Sequence, residues 1–246
     1  MLKRSIAVLL WVFMTVSPVV AQESLHVGVA ANFIQPFKEI SASFEQKTGI
    51  KVTAAFTSSG SLYSQATSGA PYDLILSADE ERPRMLFERN LCGKPFVYAR
   101  GFAVLWTAKK DLCRLASWKD VVRNAAVKKI AIAHTGNAPY GASAMAALKT
   151  EGLWQDYQER LVVAQNIAQA FQFASTESAD VAFCAKSAAL SPEGKKGCMW
   201  VIEEAPAIVQ GACIMKATKN PAAAEKLSGF LGSAEARAVL EKYGYR

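Results

Sequence analysis

The stretch FTSSGSLYSQATSGAPYDLILSAD, residues 56–79, decides how the chain folds. It leaves an apolar segment and enters a run of small hydroxyl residues. We expect a short helix over 62–68, a stop at Gly69 and Pro71, and a buried strand over 72–77. The first N–H groups of a helix lack intrahelical partners and are partly positive. A Ser/Gly turn that opens a helix therefore indicates an anion cradle, although an ordinary serine N-cap explains the same residues.

The N-terminal segment over 1–21 has the parts of a secretory signal peptide. Lys3 and Arg4 give a positive start, residues 6–16 form an uncharged apolar core, and Ala21 is the small residue before a cut. We expect a soluble mature protein in a Gram-negative periplasm. The apolar core is too short for a membrane span, and no later run reaches the roughly 18 apolar residues that a span needs.

About 225 residues remain after that segment, enough for one large domain or two lobes with a core each. The formal net charge of +7 falls to +5 without Lys3 and Arg4. The remaining Lys and Arg residues are scattered and form no basic stripe interleaved with aromatics. The sequence therefore argues against nucleic acid as a partner.

Five cysteines follow the signal segment: Cys92, Cys113, Cys184, Cys198 and Cys213. An exported protein can form disulfides, and an odd count leaves at least one thiol unpaired within the chain. Spacing favours Cys92–Cys113 and Cys184–Cys198, but it leaves the connectivity open. No C-x-x-C motif is present and the two histidines lie far apart in sequence, so we expect no zinc site.

The rest of the chain alternates strands and helices. From residue 24 to Asp79 the order is strand–helix–strand–helix–strand, typical of a parallel sheet covered by helices. The β-rich run over 96–107, broken by Gly101, is of a kind that can cross between two lobes. The middle of the chain repeats the alternation, and two helices end it. The predicted fold class is therefore α/β.

Polar residues stand at four of the predicted strand-to-helix junctions: Asn32, Ser59, Tyr140 and the pair Asn166-Ile167. In open α/β sheets, ligands bind beyond the carboxyl ends of the strands. Two junctions come from each half of the chain, so the four are placed to meet at one small ligand between lobes. Taken singly, each also fits a helix cap or a core residue.

Five segments together resemble the periplasmic molybdate-binding proteins of ABC importers. They are VAANF (29–33), FTSSGSLYSQATSGAPYDLILSADEERP (56–83), NAPYGASAMAAL (137–148), QNIAQAFQF (165–173) and FLGSAEARAVLEKYGY (230–245). The resemblance runs from about residue 24 to the end. The most specific feature is the order of three motifs: the segment that contains GAP and SAD comes first, then APYG, and then NIAQ.

The resemblance implies a two-lobed periplasmic-binding-protein fold of type II. Each lobe has a mixed, mostly parallel sheet flanked by helices, and two segments cross between the lobes. Lobe I then comprises 22–102 and 206–246, and lobe II 103–205. The implied function is capture of molybdate or tungstate and delivery to the membrane permease of an ABC importer. No catalysis, no cofactor and a monomer are expected.

Carried over residue by residue, the resemblance places the anion contacts on six residues: Ala31, Asn32, Ser58, Ser59, Tyr140 and Ile167. Cys184 stands where one branch of the family has a tyrosine. Tyr140 is expected to supply the hydroxyl of that tyrosine in this chain, so Cys184 is not expected to contact the anion. The segment over 203–210 departs from the family pattern.

Neutral donors suit an oxyanion that is fully ionised at neutral pH. A smaller anion such as sulfate would leave some buried donors unpaired, whereas tungstate matches molybdate in size.

The competing functions are a sulfate, phosphate or ferric-iron binder of the same architecture, a secreted serine hydrolase, and a module that binds no ion. Iron capture needs clustered Tyr, His or carboxylate ligands. Neither G-x-S-x-G nor Ser-x-x-Lys occurs, which argues against the hydrolase.

Overall fold

The computed structural model describes residues 23–246, so the predicted signal peptide lies outside the described residues. In chain order the strands are β1 (Ser24–Ala30), β2 (Lys51–Thr57), β3 (Leu74–Leu76), β4 (Phe96–Gly101), β5 (Ala103–Thr107), β6 (Ile130–Ala133), β7 (Leu161–Ala164), β8 (Val181–Ala185), β9 (Cys198–Val201) and β10 (Ile208–Ile214). The α-helices are α1 (Ile34–Thr48), α2 (Ser59–Thr67), α3 (Glu81–Glu88), α4 (Trp118–Arg123), α5 (Pro139–Thr150), α6 (Ile167–Ser175), α7 (Lys186–Ala189), α8 (Pro221–Leu231) and α9 (Ala234–Lys242).

The strands form two five-stranded sheets with matching layouts. The first sheet has the order β2-β1-β3-β10-β4 and the second β7-β6-β8-β5-β9. In each sheet four strands run one way and the fourth in the order runs the other way. That reversed strand, β10 or β5, is the one that arrives directly from the other sheet. The predicted α/β fold with mixed, mostly parallel sheets is confirmed.

The chain changes sheets twice, between β4 and β5 and between β9 and β10. The first change falls within the β-rich run over 96–107 that the sequence predicted to cross. The second falls within the segment over 203–210, which was expected to depart from the family pattern. The lobe boundaries at 102/103 and 205/206 stay a prediction.

Alternate residues of β1 pack against different helical layers, as the period of a strand requires. Val27 and Val29 are buried with Phe37 of α1. Gly28 faces the other layer, where a Cβ would lie 3.0 Å from the side chain of Leu62 in α2. Helices α1 and α2 follow β1 and β2, so both begin at the carboxyl edge of the first sheet.

The helix α2 begins at Ser59, three residues before the predicted start. Ser58 is its N-cap, and the Ser58 Oγ accepts a hydrogen bond from the backbone N–H of Ser61 at 3.3 Å. The hydroxyl residues that suggest a turn in the sequence therefore form the first turn of the helix instead. The earlier start brings the N-terminus of α2 directly to the end of β2.

One disulfide joins Cys113 to Cys198, with 5.7 Å between their Cα atoms, so the pairs Cys92–Cys113 and Cys184–Cys198 are wrong. Cys198 opens β9, which pairs with β5, and Cys113 lies in the short 3-10 helix that follows β5. Cys92 forms an isolated backbone β-bridge with Met215, which directly follows β10 of the first sheet. Three buried cysteines are free thiols, in line with the odd count: Cys92, Cys184 and Cys213.

Membrane-spanning helices and clustered metal ligands are both absent from residues 23–246. No helix in this range has the length and apolarity to cross a membrane. No group of three or more His, Cys, Asp and Glu side chains in the same range is arranged to hold a metal ion.

Candidate functional site

A small cavity lies between the two sheets, at the carboxyl ends of their parallel strands. About 10 Å³ of it is open to the centre of a water-sized sphere, close to the least that holds one water molecule. Its walls come from the ends of β1, β2 and β3 and from the starts of α5 and α6. The lining residues are Ala30, Ala31, Asn32, Ser58, Ser59, Ala78, Ala138, Pro139, Tyr140, Asn166 and Ile167.

The structure brings all six predicted contact residues to this one cavity: Ala31, Asn32, Ser58, Ser59, Tyr140 and Ile167. They come from four separate stretches of the chain and from both sheets. Their contact with an anion stays a prediction. Cys184 is fully buried in β8 and is absent from the lining residues.

Four helical starts point at the cavity. Helix α2 begins at Ser59, α5 at Pro139 and α6 at Ile167, and a 3-10 turn over Ala31–Phe33 leads into α1. The N–H groups of a first turn have no partner within their own helix, and the helix dipole makes them partly positive. Four such ends around one cavity favour a negatively charged guest.

None of the lining residues, all of which lie within the described range, carries a charged side chain. The donors at the cavity are therefore hydroxyl, amide and backbone N–H groups. A charged pair, Arg82 with Asp79, lies close by, where Asp79 directly follows the lining residue Ala78. The helical starts therefore make the cavity electropositive through their dipoles, with no lysine or arginine among the lining residues.

Ser59 is almost completely buried, at 1 % exposure. Its Oγ accepts a hydrogen bond from the backbone N–H of Ala78 at 2.9 Å. That bond uses the oxygen as the acceptor, so the hydroxyl proton is available to an acceptor in the cavity. The same bond ties the start of α2 to the end of β3.

Asn32 is held by several hydrogen bonds. Its Nδ2 donates to Gln210 Oε1 at 2.8 Å and to the hydroxyl of Tyr245 at 3.0 Å. Its backbone carbonyl accepts from Ser187 Oγ at 2.7 Å and from the Tyr245 hydroxyl at 2.9 Å. Its Oδ1 is buried and has no hydrogen-bond partner among the described residues. In this orientation both N–H groups of the amide donate within the protein, and a half-turn would set the Asn32 Oδ1 against the Gln210 Oε1.

The Tyr140 side chain is 1 % exposed. Its hydroxyl accepts a hydrogen bond from Gln210 Nε2 at 3.2 Å. Burial, with a smaller contribution from the neighbouring Tyr245, raises the pKa of Tyr140 well above its ordinary value of 10.0. The phenol therefore keeps its proton at neutral pH and is a donor without charge.

Two hydrogen bonds close the mouth of the cavity. The N–H of Gly60 in α2 donates to the carbonyl of Asn137 at 2.9 Å. Arg82, which pairs with Asp79, donates from Nη2 to the carbonyl of Gly136 at 2.9 Å. Both bonds join the first-sheet side of the cavity to the loop before α5. This is the closed arrangement of a two-lobed cleft.

Four polar residues beside the cavity, none of them in its lining, were not predicted from the sequence: Tyr98, Ser187, Gln210 and Tyr245. All four are buried, and each hydrogen-bonds to Asn32, Tyr140 or Gln210. A glutamine in the middle of the apolar strand IVQGACI was the available signal for Gln210. The other three carried no local signal, because their role depends on which strands and termini meet.

Comparison with known proteins identifies relatives over nearly the whole described chain. The molybdate-binding protein ModA of Rhodobacter capsulatus is 40 % identical over 222 residues, which are 89 % of this chain and 86 % of that protein. The protein of the same name from Azotobacter vinelandii is 37 % identical, over 90 % of this chain and 89 % of that protein.

Solved structures agree with this relationship. The Azotobacter vinelandii periplasmic molybdate-binding protein superposes with a TM-score of 0.85 at 32 % identity, covering 90 % of this chain and 98 % of that one. The sulfate-binding protein SubI of Mycobacterium tuberculosis gives a TM-score of 0.77 at 15 % identity, covering 92 % and 87 %, and shows a shared fold alone. The profile of the bacterial extracellular solute-binding proteins matches residues 25–246, and this chain belongs to that family.

Proposed function

We propose that this protein captures molybdate or tungstate in the cavity between its two lobes and delivers it to the permease of an ABC importer. The observation that carries the proposal is the cavity itself: the six residues that the sequence predicts as anion contacts line one enclosed space at four helical starts. Relatives at 37–40 % identity are named molybdate-binding proteins, which supports the same ligand here.

The donors suit a dianion that carries no proton of its own at neutral pH. The hydroxyls of Ser59 and Tyr140 give one proton each, and the helical starts at Asn32 and Ile167 give backbone N–H groups. Each hydrogen bond to a charged group contributes about 1.5–3 kcal/mol. Several such bonds together replace the water around the anion without a lysine or arginine that would hold other anions as well.

Size selects among tetrahedral anions in this proposal. The cavity walls are held in place by the Ser59–Ala78 and Gly60–Asn137 hydrogen bonds, so the donors cannot all follow a smaller guest inward. A sulfate ion would leave buried donors unpaired, and each unpaired group costs about 1–3 kcal/mol. Tungstate has nearly the size of molybdate and is expected to bind comparably.

The rest of the proposal follows because the protein binds the oxyanion without converting it. The protein carries out no catalytic step, needs no cofactor and acts as a monomer in the periplasm. The oxyanion is its cargo, and no side chain bonds directly to the metal atom within it. Release occurs when the two lobes separate at the permease.

Thermal melts of the mature protein with excess molybdate, tungstate, sulfate or phosphate test the proposal. A ligand at 100 times its dissociation constant adds about 2.7 kcal/mol of stability, which for a chain of this length raises the melting temperature by about 5–11 °C. A rise with molybdate and tungstate alone is expected. A rise with sulfate or phosphate instead would keep the cleft but replace the ligand, and no rise with any of them would overturn the proposal.

A further inference from the structure

Gln210 is fully buried beside the cavity, although it lies in the apolar strand β10. The pairing of β10 with β4 shifts register between Gln210 and Gly211. Such a bulge redirects the side chain at the point where it occurs. It lies just after the chain returns from the second sheet to the first, so Gln210 stands next to the crossover.

The hydrogen bonds around Gln210 fix which way its amide points. Asn32 Nδ2 at 2.8 Å and the Tyr98 hydroxyl at 2.9 Å both donate to its Oε1. Its Nε2 then faces the Tyr140 hydroxyl at 3.2 Å. A half-turn of the Gln210 amide would set two NH₂ groups 2.8 Å apart, which is unfavourable because neither of them accepts.

This orientation determines what the Tyr140 hydroxyl can do. Its oxygen accepts from Gln210 Nε2 at 3.2 Å, and Asn32 Nδ2 lies 3.5 Å away on the same oxygen. With its oxygen used as an acceptor, the hydroxyl has its own proton to give, either to the neighbouring Tyr245 hydroxyl or to a guest in the cavity. Tyr140 lines the cavity, so that proton can be directed at a guest there.

The backbone at the first crossover lies against the Tyr140 hydroxyl and the Gln210 amide. A Cβ on Gly101, the last residue of β4, would lie 2.0 Å from the Tyr140 hydroxyl and 2.5 Å from Gln210 Nε2. Because Gly101 has no side chain, the Tyr140 hydroxyl and the Gln210 amide can form their hydrogen bond beside the crossover. Tyr140 belongs to α5, beside the second sheet, whereas Gln210 belongs to the first.

We infer that Gln210 is a positioning residue: it donates to the Tyr140 hydroxyl and so aims the proton of that hydroxyl at the bound oxyanion. The inference rests on the proposed function and adds a residue to it that does not line the cavity. Gln210 thereby couples the ligand donor on the second-sheet side to the crossover strand on the first-sheet side.

A double-mutant cycle measured by calorimetry with sodium molybdate tests the inference. Gln210→Met removes the amide and keeps the length of the side chain. We expect it to weaken binding about tenfold, which equals about 1.4 kcal/mol. In a Tyr140→Phe background, where no hydroxyl remains to be aimed, the same substitution should weaken binding by less than about threefold. Gln65→Met, which removes the hydrogen bond from the buried Tyr72 hydroxyl to the exposed Gln65 side chain, is the matched control and should leave the affinity unchanged.

The outcomes separate this inference from the proposed function. A wild-type protein that does not bind molybdate would overturn the function itself. If the wild type binds and Gln210→Met is equally harmful with and without the Tyr140 hydroxyl, or harmless in both backgrounds, the positioning role is wrong. Melts without ligand verify that each variant is folded, and Gln210→Asn replaces the methionine variant in the same cycle if that one is not.

Discussion

A single hydroxyl at Ser59 serves both the fold and the site. Its oxygen accepts from the Ala78 backbone at 2.9 Å, which joins α2 to the end of β3, while its proton remains for the ligand. Tyr140 has the same division, since its oxygen accepts from Gln210. In both residues a protein group donates to the hydroxyl oxygen, so the hydroxyl proton is available to the proposed anion.

Replacing Ser59 with alanine should weaken molybdate binding by about 1–3 kcal/mol, because one hydrogen bond to a charged group is lost. Calorimetric titration measures the change. Ser64→Ala, on the exposed face of the same helix, is the control and should bind normally. An unchanged affinity in Ser59→Ala would remove this residue from the site.

Tyr140→Phe should also weaken binding by about 1–3 kcal/mol, while the protein remains folded. The ring keeps its packing, and only the hydroxyl is lost. Affinity by calorimetry and a melt without ligand check the two parts of this expectation. Normal affinity would place the donor at another residue of the cavity lining.

The start of α2 is the element that closes the cleft. Gly60 donates to the Asn137 carbonyl across the mouth, and a Cβ at this position would lie 3.1 Å from the Asn137 Cα, Cβ and O atoms. These distances are shorter than ordinary van der Waals contact. The glycine therefore allows the two sides to approach closely when the cleft is shut.

Gly60→Ala should change affinity and stability in opposite directions. Alanine in a helix is more stable than glycine by about 0.5–1 kcal/mol, so the melting temperature without ligand should hold or rise. The closed form must give way around the new methyl group, so molybdate should bind more weakly. Melts and calorimetry on the same samples measure both, and unchanged or tighter binding would show that this contact does not limit closure.

The segment over 203–210 is anchored to helix α4 by a carboxylate. Lys119 Nζ donates to Glu204 Oε1 at 2.8 Å, and Trp118 Nε1 donates to Glu204 Oε2 at 2.9 Å. The hydrogen bond from Lys119 is the main cause that lowers the pKa of Glu204 from 4.5 to about 2. This part of the chain forms the second crossover, and the two hydrogen bonds hold it in place against α4.

The lowered pKa predicts how stability depends on pH. A carboxyl whose pKa is lower in the folded state stabilises the fold above its ordinary pKa of 4.5, and that stabilisation disappears as the pH falls toward 2. The unfolding free energy of wild type minus that of Glu204→Gln should therefore shrink over this range. Glu88→Gln, which removes an exposed pair with Arg84, is the control and should differ little from wild type at any pH. A wild-type minus Glu204→Gln difference independent of pH would contradict the role of this carboxylate.

The order of the elements could be predicted because its signals are local. Hydrophobic spacing, glycine stops and serine caps each act within a few residues, and they identified the strand-to-helix junctions at Asn32 and Ser59. The disulfide and Gln210 could not be predicted in the same way. The Cys113–Cys198 bridge depends on the pairing of β5 with β9, and the direction of the Gln210 side chain depends on a register shift between β10 and β4.

The whole molecule repeats one arrangement twice. Both sheets place the strand that arrives from the other sheet in the same position and the same reversed direction. The two crossovers thus join sheets of equivalent layout, and the carboxyl edges of both face one cavity. Hydrogen bonds from Gly60 and Arg82 to the opposite loop, together with the Ser187–Asn32 and Gln210–Tyr140 bonds beside the cavity, join the two sides in the closed form. A ligand that contacts donors on both sides is expected to favour this form further.

Anomalous diffraction tests the central claim most directly. Crystals of the mature protein grown with molybdate, measured on both sides of the molybdenum absorption edge, locate the metal atom without reference to the protein coordinates. The account predicts one strong peak in the cavity, enclosed by Asn32, Ser59, Tyr140 and the backbone of Ile167. A peak elsewhere on the molecule, or a cavity without molybdenum in crystals that contain it, would contradict the account.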